Sequence, residues 1–161
     1  MKKFFIAAVM SAVSATVMAA DVADSYVAAS IGQGKYSTAG ESDTQMGFGL
    51  AFGQSLSEYA GYELGYANPG RAFGGTTHSY YLAGVARYPV ADAVTVYGKL
   101  GPTLNHVSGD DSATRVRLLL GAGLGYQFDK NWAATLEYTH FGDTFDTTSS
   151  LWSVGVRYHF Q

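Results

Sequence analysis

The sequence predicts an all-β fold: eight antiparallel strands in up-and-down order, closed into a transmembrane barrel. Three observations carry the prediction. Apolar and polar residues alternate in eight stretches, 25–34, 44–53, 57–68, 77–88, 93–105, 114–128, 132–140 and 150–160. A period of two is the signature of a strand, whose successive side chains point to opposite faces. The gaps between stretches are rich in Gly, Asp, Asn, Pro and Ser and alternate between long and short, so long and short connections fall at opposite ends of a meander. Charged residues make up only 14% of the 161-residue chain, well below the roughly 25% of soluble domains.

The first twenty residues stand apart. Lys2 and Lys3 precede an apolar run that begins at Phe4, and the small residues Ala19 and Ala20 close it. This is the pattern of a cleaved secretory signal, so residues 1–20 are read as a signal peptide and 21–161 as the barrel domain. Loss of Lys2 and Lys3 takes the formal charge from −3 to −5. No basic run suits nucleic acid. No cysteine is present, which removes disulfides and thiol chemistry. No mature segment is apolar for long enough to form a membrane helix.

Each strand sorts into two faces. Strand by strand, one face carries Val27, Ala29 and Ile31; Met46, Phe48, Leu50 and Phe52; Ala60, Tyr62, Leu64 and Tyr66; Tyr80, Leu82, Gly84, Ala86 and Tyr88. It continues with Val94, Val96, Gly98 and Leu100; Val116, Leu118, Leu120, Ala122, Leu124, Tyr126 and Phe128; Trp132, Ala134, Leu136 and Tyr138; Trp152, Val154, Val156, Tyr158 and Phe160. None of these is charged. The opposite face holds Tyr26, Ser30, Gln45, Tyr59, Glu63, Tyr81, Arg87, Tyr97, Lys99, Arg115, Arg117, Thr135, Glu137, Thr139, Arg157 and His159, with many glycines between them.

Periodicity does not say which face points out. A soluble lipocalin-like carrier would turn the apolar face inward; a membrane barrel turns it to lipid. The polar face is too rich in glycine and too poor in charge to clothe a soluble protein. The aromatics of the apolar face gather towards strand ends: Phe52, Tyr88, Tyr126, Phe128, Trp132, Tyr158 and Phe160 at the short-turn end, Tyr66, Tyr80, Tyr138 and Trp152 at the long-loop end. Two such girdles are what amphipathic rings form at the two membrane interfaces. An open edge in hydrocarbon would leave backbone groups unpaired at several kcal/mol each, so the eight strands close. The even number brings both termini to the short-turn side, which in an exported bacterial barrel is periplasmic.

The segments "GYELGYANPGR" (61–71), "RYPVADAVTVYGKLG" (87–101), "LEYTHFGD" (136–143) and "SVGVRYHF" (153–160) resemble the small outer-membrane barrels of the OmpA transmembrane-domain type, with their OmpX, Ail and opacity-protein relatives. The resemblance covers the whole mature chain. It implies an outer-membrane location and contact with membrane lipid and lipopolysaccharide. It also implies handling by the barrel-assembly machinery, and interior pairing of acids with bases: Glu63, Lys99 and Glu137 match such positions. Adhesion to host surface molecules, resistance to host defences and envelope integrity are the roles the family suggests. Gln161 follows the terminal Phe160, a departure from members that end on the aromatic, and a role in tethering the membrane to the cell wall through an added peptidoglycan-binding domain is not expected.

The interior therefore holds Arg87, Lys99, Arg115, Arg117 and Arg157 against Glu63 and Glu137. These seven are read as an ion-pair network that fills the lumen and holds the register, or, alternatively, as a narrow ion path whose pairs exchange partners. Eight strands leave room for little more than side chains. Pro102 cannot donate to the ladder and is expected to mark a bulge or a strand end. His140, Asp143 and Ser149 are the nearest approach to a rim catalytic site, but "THFGD" lacks the His-x-Ser arrangement of a lipid A deacylase. The four histidines lack metal-ligand spacing. The expectation is a monomer without catalysis, cofactor or metal.

Overall fold

The computed structural model describes residues 25–38, 41–72, 75–108, 113–144 and 147–160. The segment read as a signal peptide lies outside the described residues. The strands are β1 (Ser25–Thr38), β2 (Glu41–Ser55), β3 (Ala60–Asn68), β4 (Arg71–Ala72), β5 (Gly75–Ala91), β6 (Val94–Ser108), β7 (Ala113–Gln127), β8 (Trp132–Thr144) and β9 (Thr147–His159). All pairings are antiparallel; successive strands pair except that β3 skips β4 to pair with β5, and β1 also pairs with β9, from Tyr26↔His159 to Ser37↔Thr148. β3 and β4 are one stave: both pair with β5, and the register moves by one residue between Ala67↔Ser79 and Arg71↔Thr76. Eight staves thus form a closed cylinder. At the closure, the Phe160 amide donates to the Ser25 carbonyl at 2.9 Å.

Most strands run further towards the long connections than the alternation predicts; β1 reaches Thr38, and β9 begins at Thr147. Stretches such as "KYST" hold Thr, Ser and Tyr, which suit an extended backbone, and cross-strand pairing continues through them. At the other end the predicted third strand starts late. Leu56 and Ser57 donate to the Ala60 carbonyl, and Ser57 Oγ accepts from the amides of Tyr59 and Ala60, which makes a turn of residues 56–59. Tyr59, read as an interior residue, is therefore exposed, and its ring stacks on Tyr88 at 6.4 Å.

Pro102 neither bulges nor ends its strand. β6 passes through it in one register, from Tyr81↔Thr103 to Gly84↔Leu100 with β5, and Pro102 pairs with Leu118 of β7. The bulge on this hairpin lies instead at Pro89/Ala91, beside the short turn. A further bulge falls on β8 between His140 and Asp143, where Gly142 takes φ +73°. The break between β3 and β4 has its own left-handed residue, Gly70 at φ +109°. L side chains rarely adopt that region.

The two faces are oriented unambiguously. Met46, Leu50, Leu82, Leu100, Val116, Leu118, Val154 and their neighbours point outward and stay exposed. A continuous apolar belt of that kind on the outside is a lipid-facing surface and is the reverse of a lipocalin-like carrier. At the short-turn end the rings of Trp132 and Tyr158 meet at 5.0 Å, and those of Tyr158 and Phe160 at 5.2 Å. Nearer the long loops Tyr66 meets Tyr80 at 5.1 Å, and Tyr138 meets Trp152 at 5.0 Å. Phe52 is half-buried against its strand neighbours, and Tyr126 and Phe128 are exposed.

The lumen holds the core, in two layers. Towards the long loops Ala67, Tyr81, Ala83, Leu119, Phe141 and Leu151 form one apolar cluster. Towards the short turns lies a layer of charge and tyrosine.

Candidate functional site in the lumen

Glu63 is fully buried and receives three donors. Lys99 Nζ lies 2.5 Å from Oε1, the Tyr81 hydroxyl donates to Oε1 at 2.8 Å, and the Tyr26 hydroxyl donates to Oε2 at 2.7 Å. Lys99 also reaches Glu137, with Nζ 2.7 Å from Oε2. Glu137 accepts further bonds from the Tyr97 hydroxyl at 2.9 Å and from Thr139 Oγ1 at 2.7 Å. One ammonium thus bridges carboxylates from β3 and β8. With its whole donor capacity of three protons, Lys99 can serve both. An ion pair survives burial when hydrogen bonds fill the remaining lone pairs, and here tyrosine and threonine hydroxyls do so.

The local sequence explains how three large tyrosines fit beside the acids. Each faces a glycine directly across the ladder: Tyr26↔Gly53, Tyr81↔Gly65 and Tyr97↔Gly123. A Cβ at any of these glycines would collide with the tyrosine ring. The glycines on the inner face are sockets for the rings that carry the donors. Alternation places Tyr26, Tyr81 and Tyr97 inside but says nothing of this role; the signal that could have found it is the Tyr–Gly pairing once the register is known.

The seven expected network residues divide into groups. Glu63, Lys99 and Glu137 come together. Arg157 is buried but makes no ion pair with a described acid; its guanidinium lies 4.4 Å from the Tyr26 ring centre and 4.9 Å from that of Tyr97. Arg87 donates from Nη1 to Ser55 Oγ at 2.8 Å and likewise makes no ion pair with a described acid. Each carboxylate takes Lys99 and two hydroxyls instead. Arg115 and Arg117 lie on β7 beyond Leu119, on the long-loop side of the apolar cluster. They are half-buried there and away from both acids.

Between the two layers is a cavity of about 30 Å³, with Glu63, Lys99 and Glu137 on one side and Ala67, Phe141 and Leu151 on the other. That is room for about one water. Phe141 is held there by its own backbone: Asn105 Nδ2 donates to its carbonyl at 2.9 Å. At the rim, His140 pairs with Ser150 of β9, whereas Ser149 is buried beside it on the other face of the wall. The side chain of Asp143 lies outside the described residues. Among the described residues no three His, Asp or Glu side chains are grouped to hold a metal ion.

Comparison with known proteins gives the same architecture. The family described as "Outer membrane protein beta-barrel domain" matches residues 5–160. Outer membrane protein A of Yersinia pseudotuberculosis is 32% identical over 72% of this chain and 40% of its own length. The chain thus spans well under two thirds of that relative. Among solved structures, Neisserial surface protein A superposes with a TM-score of 0.70 at 19% identity, over 85% of this chain and 97% of its own. Ail of Yersinia pestis, solved with the heparin analogue sucrose octasulfate, gives 0.65 at 22% identity, over 84% and 97%.

Proposed function

The chain belongs to the family of outer-membrane β-barrel domains, and from that premise we propose that it is a non-catalytic structural barrel that presents its long connections at the cell surface. The observation that carries this reading is the filled lumen. A bridged charge centre and an apolar layer are stacked in one bore, inside a wall whose outer face suits lipid. Barrels of this kind keep their short turns in the periplasm and their loops outside, so both termini are assigned to the periplasm. Residues 1–20 are assigned to a signal removed on export, and 21–161 to the barrel. Membrane lipid, lipopolysaccharide and the assembly machinery are its expected partners, and it acts as a monomer.

The experiment is single-channel recording in planar bilayers. It uses protein whose folded state is first established by its faster gel mobility unboiled than boiled. The structural reading expects no discrete conductance steps from the native barrel. Regular steps that change in Glu63→Ala would establish the narrow-channel alternative instead. For the loops, a sulfated glycan is the surface ligand with a precedent among the structural neighbours, since Ail was solved with such an analogue. Retention on immobilised heparin of cells displaying this chain, against cells without it, tests that contact. Equal retention leaves resistance to host defences and envelope integrity as the roles.

A further inference from the structure

Two histidines far apart in the sequence are direct neighbours in the wall. His78 of β5 and His106 of β6 are partners across the ladder. Their chain neighbours Ser79 and Asn105 are buried in the bore, so by alternation both imidazoles lie on the outer face. Side chains directly opposite on one face have Cβ atoms about 5 Å apart. Both histidines are partly exposed. They stand two residues beyond Tyr80 and Leu104, themselves a ladder pair, which puts them about 7 Å past the long-loop girdle on its aqueous side.

The two rings are held alike. The Tyr66 hydroxyl of β3 lies 2.8 Å from His78 Nδ1, and Thr114 Oγ1 of β7 lies 2.8 Å from His106 Nδ1. Four staves thus present one row: hydroxyl, imidazole, imidazole, hydroxyl. The same nitrogen is engaged in each ring, by the flanking strand away from the other histidine. Nε2 of each ring has no hydrogen-bond partner among the described residues. Metal-binding imidazoles are arranged in this way: one nitrogen ligates, while the other gives its proton to an outer oxygen that fixes tautomer and ring. A hydroxyl oxygen can accept that proton. The other use of two imidazoles, as a protonated pair for an anionic headgroup, would set like charges directly opposite, which is unfavourable. A metal takes both rings neutral.

We propose that His78 and His106 form a site on the outer wall for one divalent ion of the zinc–copper class, each ligating through Nε2, with water completing the coordination. Imidazole suits these ions, whereas calcium and magnesium take oxygen. The ion ties the outer ends of β5 and β6, which lead into two separate long connections. This site is independent of whether the bore conducts.

The test uses the untagged barrel folded in octyl glucoside micelles, with zinc chloride as the probe. The imidazole nitrogen signals are followed by NMR, and His140 and His159 serve as internal references. The expected result is that His78 and His106 shift together and saturate at one zinc per barrel. His140 and His159 stay in place, and magnesium chloride at matched ionic strength moves none of the four. Two rings on one ion gain about a hundredfold over one through effective concentration. His78→Gln and His106→Gln each therefore weaken zinc binding at the remaining ring by about that factor, in barrels whose unboiled gel mobility shows them folded. Tyr66→Phe, which keeps the girdle ring and removes the oxygen, weakens it about tenfold. Zinc affinity at one ring that is unchanged when the other is replaced, zinc shifts shared equally by all four histidines, or no shift at millimolar zinc each overturn the proposal.

Discussion

The two layers of the lumen do the same job, filling a bore, by opposite physics. The charge centre is directional. Lys99 is tied to Glu63 and Glu137 at 2.5 and 2.7 Å, and tyrosines seated in glycine sockets complete both acids. Each of those bonds is lost if a strand slips by one residue, because every inner side chain would then turn to lipid. The apolar layer is non-directional. Leu119, Phe141, Leu151 and the alanines beside them fill space, and the wall bends to help, with bulges at residues 68–70 and at 141–142. The comparison teaches a division of labour: the polar layer specifies register, while the apolar layer closes the bore where register matters less.

The strongest way to break that comparison is Lys99→Ala. It strands two buried carboxylates, and loss of one partner from a buried pair costs about 3–5 kcal/mol. The barrel is expected to lose its unboiled gel mobility or to unfold at much lower urea. The sharper version is the triple change Lys99→Met, Glu63→Gln and Glu137→Gln, which removes all three charges together. It is expected to be more stable than Lys99→Ala alone, because no buried carboxylate is then left without its base and Arg157 is the one charge kept in the layer. If the triple variant is the less stable of the two, the layer's value lies in its charges and not in their mutual satisfaction.

Phe141→Ala probes the other layer. Truncating a buried phenylalanine costs about 3 kcal/mol or more, and here it opens onto the existing cavity of about 30 Å³. The expected outcome is a lower urea midpoint with the strand register retained, read from unchanged cross-strand amide contacts by NMR. A shift of register in Phe141→Ala would remove the distinction between the layers.

The sockets couple wall to centre, with an intermediate effect. In Gly65→Ala the new methyl meets the Tyr81 ring and displaces a donor from Glu63; overpacking of this kind costs about 1–3 kcal/mol. The companion Tyr81→Phe removes the hydroxyl but keeps the ring, and costs about 1–3 kcal/mol for the acceptor left short of a bond. Urea titration of the pair and of the double variant checks this. If the two effects add in full, the socket and the hydroxyl act independently.

Much of this was legible without coordinates, and the exceptions have physical causes. Trp152, Val154, Val156 and Tyr158 declare a shared apolar face by alternation, the aromatic girdles turn that face outward, and the long and short gaps declare the meander. The inner position of Glu63, Lys99 and Glu137 follows from the same parity. Which base meets which acid does not, since Lys99 on β6 reaches β3 and β8 across the bore by an amount set by strand tilt and stagger, and parity is blind to both. Tyr59 was misplaced because a Ser57-capped turn ends the alternation there. Leu119, Phe141 and Leu151 sit on the face expected to be polar, and a simple inside–outside rule for a membrane barrel has no place for a second, apolar layer within.

The smallest expected effect concerns the two arginines that parity treats alike. Arg157 sits between two tyrosine rings inside the charge layer, and a desolvated cation–π contact is worth about 2 kcal/mol. Arg157→Gln should therefore lower stability measurably. Arg117 lies past Leu119, half-buried, with its Nε unpartnered. Losing a donor that has no partner removes a penalty as well as a charge, so Arg117→Gln should leave stability within about 0.5 kcal/mol of the native barrel. Parallel urea titrations of the two variants decide it. Equal losses would mean that charge is felt alike on both sides of the apolar layer. Unequal ones, in the stated order, mean that Leu119, Phe141 and Leu151 divide the bore electrically as well as sterically, and that the long-loop arginines belong to the loops above them.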